Sequence, residues 1–233
     1  MTDQESVNMV VLSITLALVG AGWVGFRYSG RFAPTDWGRQ WMNRLAGVNF
    51  LFCRHYHRFH WERIELPNEG PALLVSNHLS GLDPLLLLAA ARRPLRFVIA
   101  REEYQRWWLR WLLDLMRVIP VDRSSRPEQA FYAARQALES GDVVVIFPQG
   151  RMQCPNEGKI PLKRGAAFLA AGSNVHIYPV RLSGIHHLGG VFRPLVARSH
   201  SKLSAGSPMV CEKHQQADCI EELSKFFYGD DCS

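Results

Sequence analysis

The chain has 233 residues, 47% of them hydrophobic, and carries 27 Lys+Arg against 21 Asp+Glu for a net charge of +6. That length and apolar content support one catalytic-sized domain with a buried core plus a small appendage, and exclude a disordered or fibrous chain. The positive balance favours anionic partners, whether membrane lipid, phosphorylated ligands or nucleic acid.

Residues 9–26, MVVLSITLALVGAGWVGF, carry no charge, and as a helix they would reach about 27 Å at about 1.5 Å per residue, close to a hydrocarbon core. A single membrane span fits better than a cleaved leader, because Asp3 and Glu5 precede the stretch where a leader carries Lys or Arg. Arg27, Arg31, Arg39 and Arg44 follow it, which places the rest of the chain on the cytoplasmic face. Residues 36–54 repeat Trp37, Trp41, Leu45 and Val48 at helical spacing, predicting an amphipathic helix at the membrane interface; an ordinary surface helix has the same periodicity. A boundary at 54/55 divides this anchor, 1–54, from a domain over 55–233.

From Tyr56 the pattern alternates in YHRFHWERIEL and then turns fully apolar in PALLV, predicting two strands. Helical and strand signals then follow in turn: helix 84–93, strand 95–100, helix 102–116, strand 118–121, helix 128–139, strand 143–147, helix 165–171 and strand 174–182. Residues 200–216 read as irregular, before a short helix near 219–227. Such alternation predicts an α/β fold, a mostly parallel central sheet flanked by helices, with an N-terminal membrane helix. Cys53, Cys154, Cys211, Cys219 and Cys232 contain no CxxC pair, which argues against a disulfide framework or zinc site and fits a reducing, cytosol-facing domain. Every basic side chain before Lys159 is Arg or His, and Arg forks suit phosphate, carboxylate and lipid headgroups.

Four stretches carry polar chemistry at strand ends, where open α/β sheets place ligands. NHLSGLDP, 77–84, sets His78 and Asp83 on a compact turn, with Asp83 suited to cap the helix that Pro84 begins. Taken alone it reads as a capped turn; with the other three stretches it reads as a base with its orienting carboxylate. VIPVDRSSRP, 118–127, supplies Arg123 as a phosphate fork. FPQGRM, 147–152, turns sharply after an apolar strand, and Gln149 and Arg151 project there. IYPVRLSG, 177–184, is a further strand bearing Pro179. Among the remaining candidates, YQRWWLRWLLDL, 104–115, aligns Trp107 and Trp111 on a face that enters headgroups or packs against the core. HYHRFH splits its histidines between two faces and is not read as a metal site.

In this order the four stretches resemble the glycerolipid acyltransferase family, whose best-known members are 1-acylglycerol-3-phosphate acyltransferases. The likeness runs from about Tyr56 to Gly184 and includes IPLKRGAAFLA. It implies direct acyl transfer from acyl-CoA or acyl-carrier protein to a lipid hydroxyl, with no metal and no cofactor beyond the donor. It implies His78 as the base and Asp83 as its partner. Asn77, Arg123, Phe147, Pro148, Gln149, Gly150, Arg151, Lys163 and Pro179 are the implied substrate-binding positions. The implied partners are membrane lipid and the thioester donor, not nucleic acid. Lysophosphatidate is the leading acceptor. Because the family's third motif usually reads FPEGTRS, Gln149 and the early Arg151 also leave open a carotenoid glycoside, another glycolipid or an ornithine lipid. The same departure leaves open a catalytically silent lipid-binding protein.

Overall fold

A computed structural model describes residues 3–122, 127–155 and 157–229. It begins with helix α1 (Asp3–Ser29), followed by a tight turn, Gly30–Phe32. Within them Val11–Phe32 is long and apolar enough to cross a membrane, and its apolar window is not buried by the rest of the chain, whereas Ser29 near its end is buried and bonds Arg44 O at 2.8 Å. Helix α2 (Gln40–Leu51) starts at Gln40 rather than Asp36. The Asp36 carboxylate instead closes a turn, accepting from the Gly38 amide and the Asn43 side chain at 2.8 Å each.

From α2 the chain passes into one π turn, Phe52–Tyr56, so the start of the stretch expected to alternate as a strand is helical. Strand β1 is only His60–Trp61. His57 is fully buried, packs edge-on against the Phe52 and Tyr56 rings, and bonds Ser199 Oγ at 2.8 Å. The apparent period of two therefore came from a buried histidine that hydropathy counts as polar.

Strands β2 (Ala72–Ser76), β3 (Leu95–Ala100), β4 (Ile119–Val121), β5 (Val143–Ile146), β6 (Ile177–Ser183) and β7 (Lys202–Ala205) complete the sheet, in the order β1-β7-β6-β2-β5-β3-β4. Pairing is parallel throughout except between β6 and β7. The mostly parallel α/β sheet read from the sequence is the one that forms. Strand β7 lies in the segment expected to be irregular. Leu203 is its one large apolar side chain, so it has no hydrophobic alternation to detect, and it forms because β6 and β1 offer it ladders on both sides.

Successive side chains of the central strands point to opposite faces. Leu74, Val143 and Val145 join one core with Leu82 and with Leu86 and Leu87 of helix α3 (Asp83–Ala90). Leu73, Val75 and Val144 join another under α6 (Pro127–Glu139), α7 (Gly165–Ser173) and α9 (Gln216–Tyr228). Burial on both faces is why β2 and β5 read as unbroken apolar runs. The helix expected over 102–116 is two, α4 (Arg101–Tyr104) and α5 (Trp107–Leu115), with Arg106 extended between them; α8 (Arg193–Val196) is one turn.

One cysteine expectation is corrected. Cys211 and Cys219, both buried, form a disulfide with a Cα–Cα distance of 6.0 Å. Their separation of eight residues matches no local motif, and the chain brings them together only by leaving the sheet and turning back into α9. Cys53 is a free, buried thiol that desolvation pushes up to about 12, so it offers no thiolate at neutral pH.

Candidate active site

Because β2, β3, β4, β5 and β6 run parallel, their C-terminal ends open on one edge, and the loop after β2 carries His78 there. His78 Nδ1 lies 2.8 Å from Asp83 Oδ2; the Asp83 side chain is fully buried and that of His78 is 20% exposed. Asp83 Oδ2 also accepts from the Leu79 and Ser80 amides at 2.6 and 2.9 Å, and Oδ1 accepts from Ser80 Oγ at 3.2 Å. Ser80 Oγ in turn accepts from the Leu82 amide at 3.1 Å. The carboxylate therefore closes the turn before α3. It does not cap α3 as expected: Asp83 is already the first helical residue and Leu82 takes the cap position.

The opposite side of this loop rests on backbone. The Gly81 amide donates to Gly190 O at 3.0 Å and the Gly189 amide to Leu79 O at 2.8 Å. A Cβ on Gly81 would stand 2.3 Å from Val191 O, so only glycine fits this approach. The Phe147 ring, at the end of β5, stacks on the imidazole with centroids 4.2 Å apart and planes 19° from parallel. One ring nitrogen thus meets a carboxylate, one face meets an aromatic plane, and Nε2 has no hydrogen-bond partner among the described residues. That is the arrangement of a base aimed by its other nitrogen.

The other implied positions divide into those at the open edge and those inside. Asn77 is buried, donates to Leu182 O at 2.9 Å and accepts from the Leu182 amide at 2.7 Å, so its side chain extends the β2–β6 ladder by one step. Pro179 is buried within β6 opposite Val75. Pro148 is buried and its carbonyl accepts from the Lys163 amide at 2.8 Å. Asn77, Pro148 and Pro179 therefore hold the sheet edge together rather than presenting polar groups outward.

Gln149, expected to face the acceptor, is turned inward. It is 3% exposed, accepts from the His78 amide at 2.5 Å and donates to the Tyr228 hydroxyl at 2.7 Å. Arg151 is exposed but forms a two-pronged pair with Glu157, one arm at 2.7 Å. The Arg151 guanidinium, with the Cys154 amide, holds the Glu157 carboxyl down to about 2. That lowered value makes the pair's contribution complete at neutral pH and lost only as pH falls toward about 2. Lys163 is exposed, and its side chain crosses Gly150, where a Cβ would meet Nζ at 2.6 Å. Gly150 also sits at φ +71°, a conformation glycine adopts without strain. Arg123 lies outside the described residues.

Sequence reasoning missed Ser80, Glu157 and Tyr228. Ser80 sits inside the quoted motif and could have been found as the hydroxyl nearest Asp83. Tyr228 carried no signal, since its partner Gln149 lies 79 residues away; Glu157 lies six residues after Arg151 in the same loop, at a spacing that no regular element makes recognisable.

A depression of about 350 Å³ lies beyond β3 and β4, lined by Arg101, Tyr104, Gln105, Arg110, Pro120, Asp122 and Gln129. Among the described residues no group of three or more His, Cys, Asp or Glu is placed to hold a metal.

The fold and this site define an α/β protein with a histidine–carboxylate pair at the open edge of a parallel sheet. The family model described as Acyltransferase matches residues 59–183, more than half of the chain, and spans both members of the pair. The chain belongs to the Acyltransferase family. It is 29% identical over 173 residues to the 1-acyl-sn-glycerol-3-phosphate acyltransferase of Pseudomonas aeruginosa, covering 71% of this chain and 63% of that one. The enzyme of that name from Bacillus subtilis is 24% identical over 166 residues, covering 71% and 77%. The crystal structure of the 1-acyl-sn-glycerophosphate (LPA) acyltransferase PlsC from Thermotoga maritima has the same fold, with a TM-score of 0.61 at 20% identity over 94% of this chain and 95% of that one. The chain thus spans a little under two thirds of the Pseudomonas relative's length.

Proposed function

We propose that the protein is a membrane-bound O-acyltransferase that moves a fatty acyl chain from acyl-CoA or acyl-carrier protein to the hydroxyl of a lipid, with lysophosphatidate as the acceptor. The observation that carries this reading is the His78–Asp83 pair with its free Nε2 at the open sheet edge. In the reaction, Nε2 takes the hydroxyl proton as the oxygen attacks the thioester carbonyl. The tetrahedral adduct then collapses, the carbon–sulfur bond breaks, and the imidazolium returns the proton to the departing thiolate. Ester and free thiol are the products. Asp83 holds Nδ1 and offsets the positive charge that the ring gains in between. Lys163 beside Gly150 gives the edge a cation for the acceptor phosphate, and the motif resemblance alone assigns Arg123 as a second.

One observation favours a second acceptor class. Arg151 is already bound to Glu157 and Gln149 faces inward, so two positions expected to meet phosphate are occupied by protein partners. An uncharged acceptor such as a glycolipid needs neither. A thioester-consumption assay of the purified protein over lysophosphatidate, a glycolipid and an ornithine lipid separates the two. Lysophosphatidate is expected to be acylated at least about tenfold faster than the others, equivalent to roughly 1.4 kcal/mol of transition-state preference. An inert lysophosphatidate beside an acylated glycolipid would overturn the phosphate reading.

The membrane reading, an anchor over 1–54 ahead of a domain over 55–233 on the cytoplasmic face, is supported by the uncovered apolar face of α1. Arg27 lies over the Trp23 ring at 4.8 Å and Arg31 over the Tyr28 ring at 4.7 Å, an aromatic and cationic band at the end of the apolar stretch. Trp107 is 86% exposed, and the Trp111 ring lies 6.3 Å from Trp41 of α2, so α5 borders the same surface. A truncation beginning at Arg31 is expected to move most of the protein from the membrane fraction to the soluble one. Unchanged fractionation would show α1 unnecessary for anchoring.

A further inference from the structure

Three consecutive hydrogen bonds run from the backbone of His78 through Tyr228 of the C-terminal helix to the backbone of Ile160. The His78 amide donates to Gln149 Oε1 at 2.5 Å, Gln149 Nε2 donates to the Tyr228 hydroxyl at 2.7 Å, and that hydroxyl donates to Ile160 O at 3.2 Å. Both ends of this chain are main-chain groups with fixed roles, an N–H that must donate and a carbonyl that must accept. The Gln149 amide therefore has a single orientation, and the phenol must accept from it while donating onward. A carboxylate at 149 would break the sequence. Its second oxygen would draw the phenol proton to itself and leave Ile160 O unpaired, with a buried charge besides. Tyr228 is thus the chemical complement of a glutamine, the residue that stands here where the resemblance expects Glu.

His78 is held at four points: its amide by Gln149, its carbonyl by the Gln153 amide at 2.9 Å, Nδ1 by Asp83, and its ring face by Phe147. Gln149 supplies the first, and among the described residues its Nε2 is fixed in turn by Tyr228 on the last turn of α9. We propose that Gln149 and Tyr228 form a positioning pair that sets the His78 main chain, and through it the imidazole, so that the C-terminal helix aligns the active site. This rests on the reading of His78 as the base. It also reassigns Gln149 from contact with the acceptor to alignment of the base.

The test measures kcat and both KM values with palmitoyl-CoA and lysophosphatidate for wild type, Tyr228→Phe, Gln149→Met and the double variant, each well below its thermal unfolding midpoint. Tyr228→Phe removes one oxygen and Gln149→Met keeps side-chain length. Tyr228→Phe is expected to lower kcat about tenfold with both KM values within about twofold, since small displacements of a reacting group carry large rate costs. In the Gln149→Met background the same change should lower kcat by less than about twofold, because its route to His78 is already cut. An unchanged kcat in Tyr228→Phe, even with a lower unfolding midpoint, would make the contact purely structural and overturn the proposal. So would a raised acceptor KM at constant kcat, which is the signature of direct acceptor contact, or an undiminished effect in the double variant. His78→Ala is assayed in parallel: activity equal to wild type there removes the base assignment itself, whatever Tyr228 does.

Discussion

His78→Ala is expected to lower the rate of thioester-dependent lipid acylation by about 10²–10⁴-fold, the range that a positioned general base contributes. The fold should survive. The ring is partly exposed, and the bonds that build the turn come from the Leu79 and Ser80 amides and from Ser80 Oγ to Asp83, none of which needs the imidazole. What is lost is a side chain whose free nitrogen faces the open edge and whose ring is held between the Asp83 carboxylate and the Phe147 ring. Measured by release of free thiol from acyl-CoA in the presence of lysophosphatidate, the variant should show a normal unfolding transition and almost no acceptor-dependent turnover. Wild-type turnover in the variant would sink the assignment.

The second large effect separates charge from structure at Asp83. Asp83→Asn can keep its carbonyl oxygen where Oδ2 now accepts from His78 Nδ1 and the Leu79 and Ser80 amides, and can turn its NH₂ toward Ser80 Oγ. The turn should therefore hold, while the negative charge that balances the imidazolium during proton transfer is gone. A loss of about 10²-fold or more in kcat is expected, with a small change in unfolding midpoint. Asp83→Ala differs in kind. It leaves two buried amides without an acceptor, at roughly 1–3 kcal/mol each, and should destabilise the protein as well as inactivate it. Comparing kcat and unfolding midpoint for the two variants checks the argument. Activity near wild type in a folded Asp83→Asn would show that the carboxylate charge contributes nothing to the reaction.

Arg151 and Gln149 show the limit of motif reading. Both stand in a correctly located motif at the end of a correctly located strand, and from the sequence both project toward the ligand. In the folded chain Arg151 meets Glu157 and Gln149 meets Tyr228, the latter pair 79 residues apart. A motif fixes where its backbone lies. It does not say whether a polar side chain there finds a protein partner before it finds a substrate.

The sequence by itself determined the α/β class, the central strands, the helices that cover them and the loop that brings His78 to Asp83. The reason is burial and proximity: a strand covered on both faces must be apolar throughout, a covered helix must repeat every three to four residues, and His78 and Asp83 sit within one short turn. Tertiary structure alone decided β7, the Cys211–Cys219 bond, the helical start of the stretch around His57 and the partners of Gln149 and Arg151. A strand supported by neighbouring ladders needs no hydrophobic period of its own, and a buried imidazole bonded through Nδ1 to Ser199 looks polar in any local window. Hydrogen-bond partners are chosen by distance in the folded chain, which spacing along the sequence does not encode.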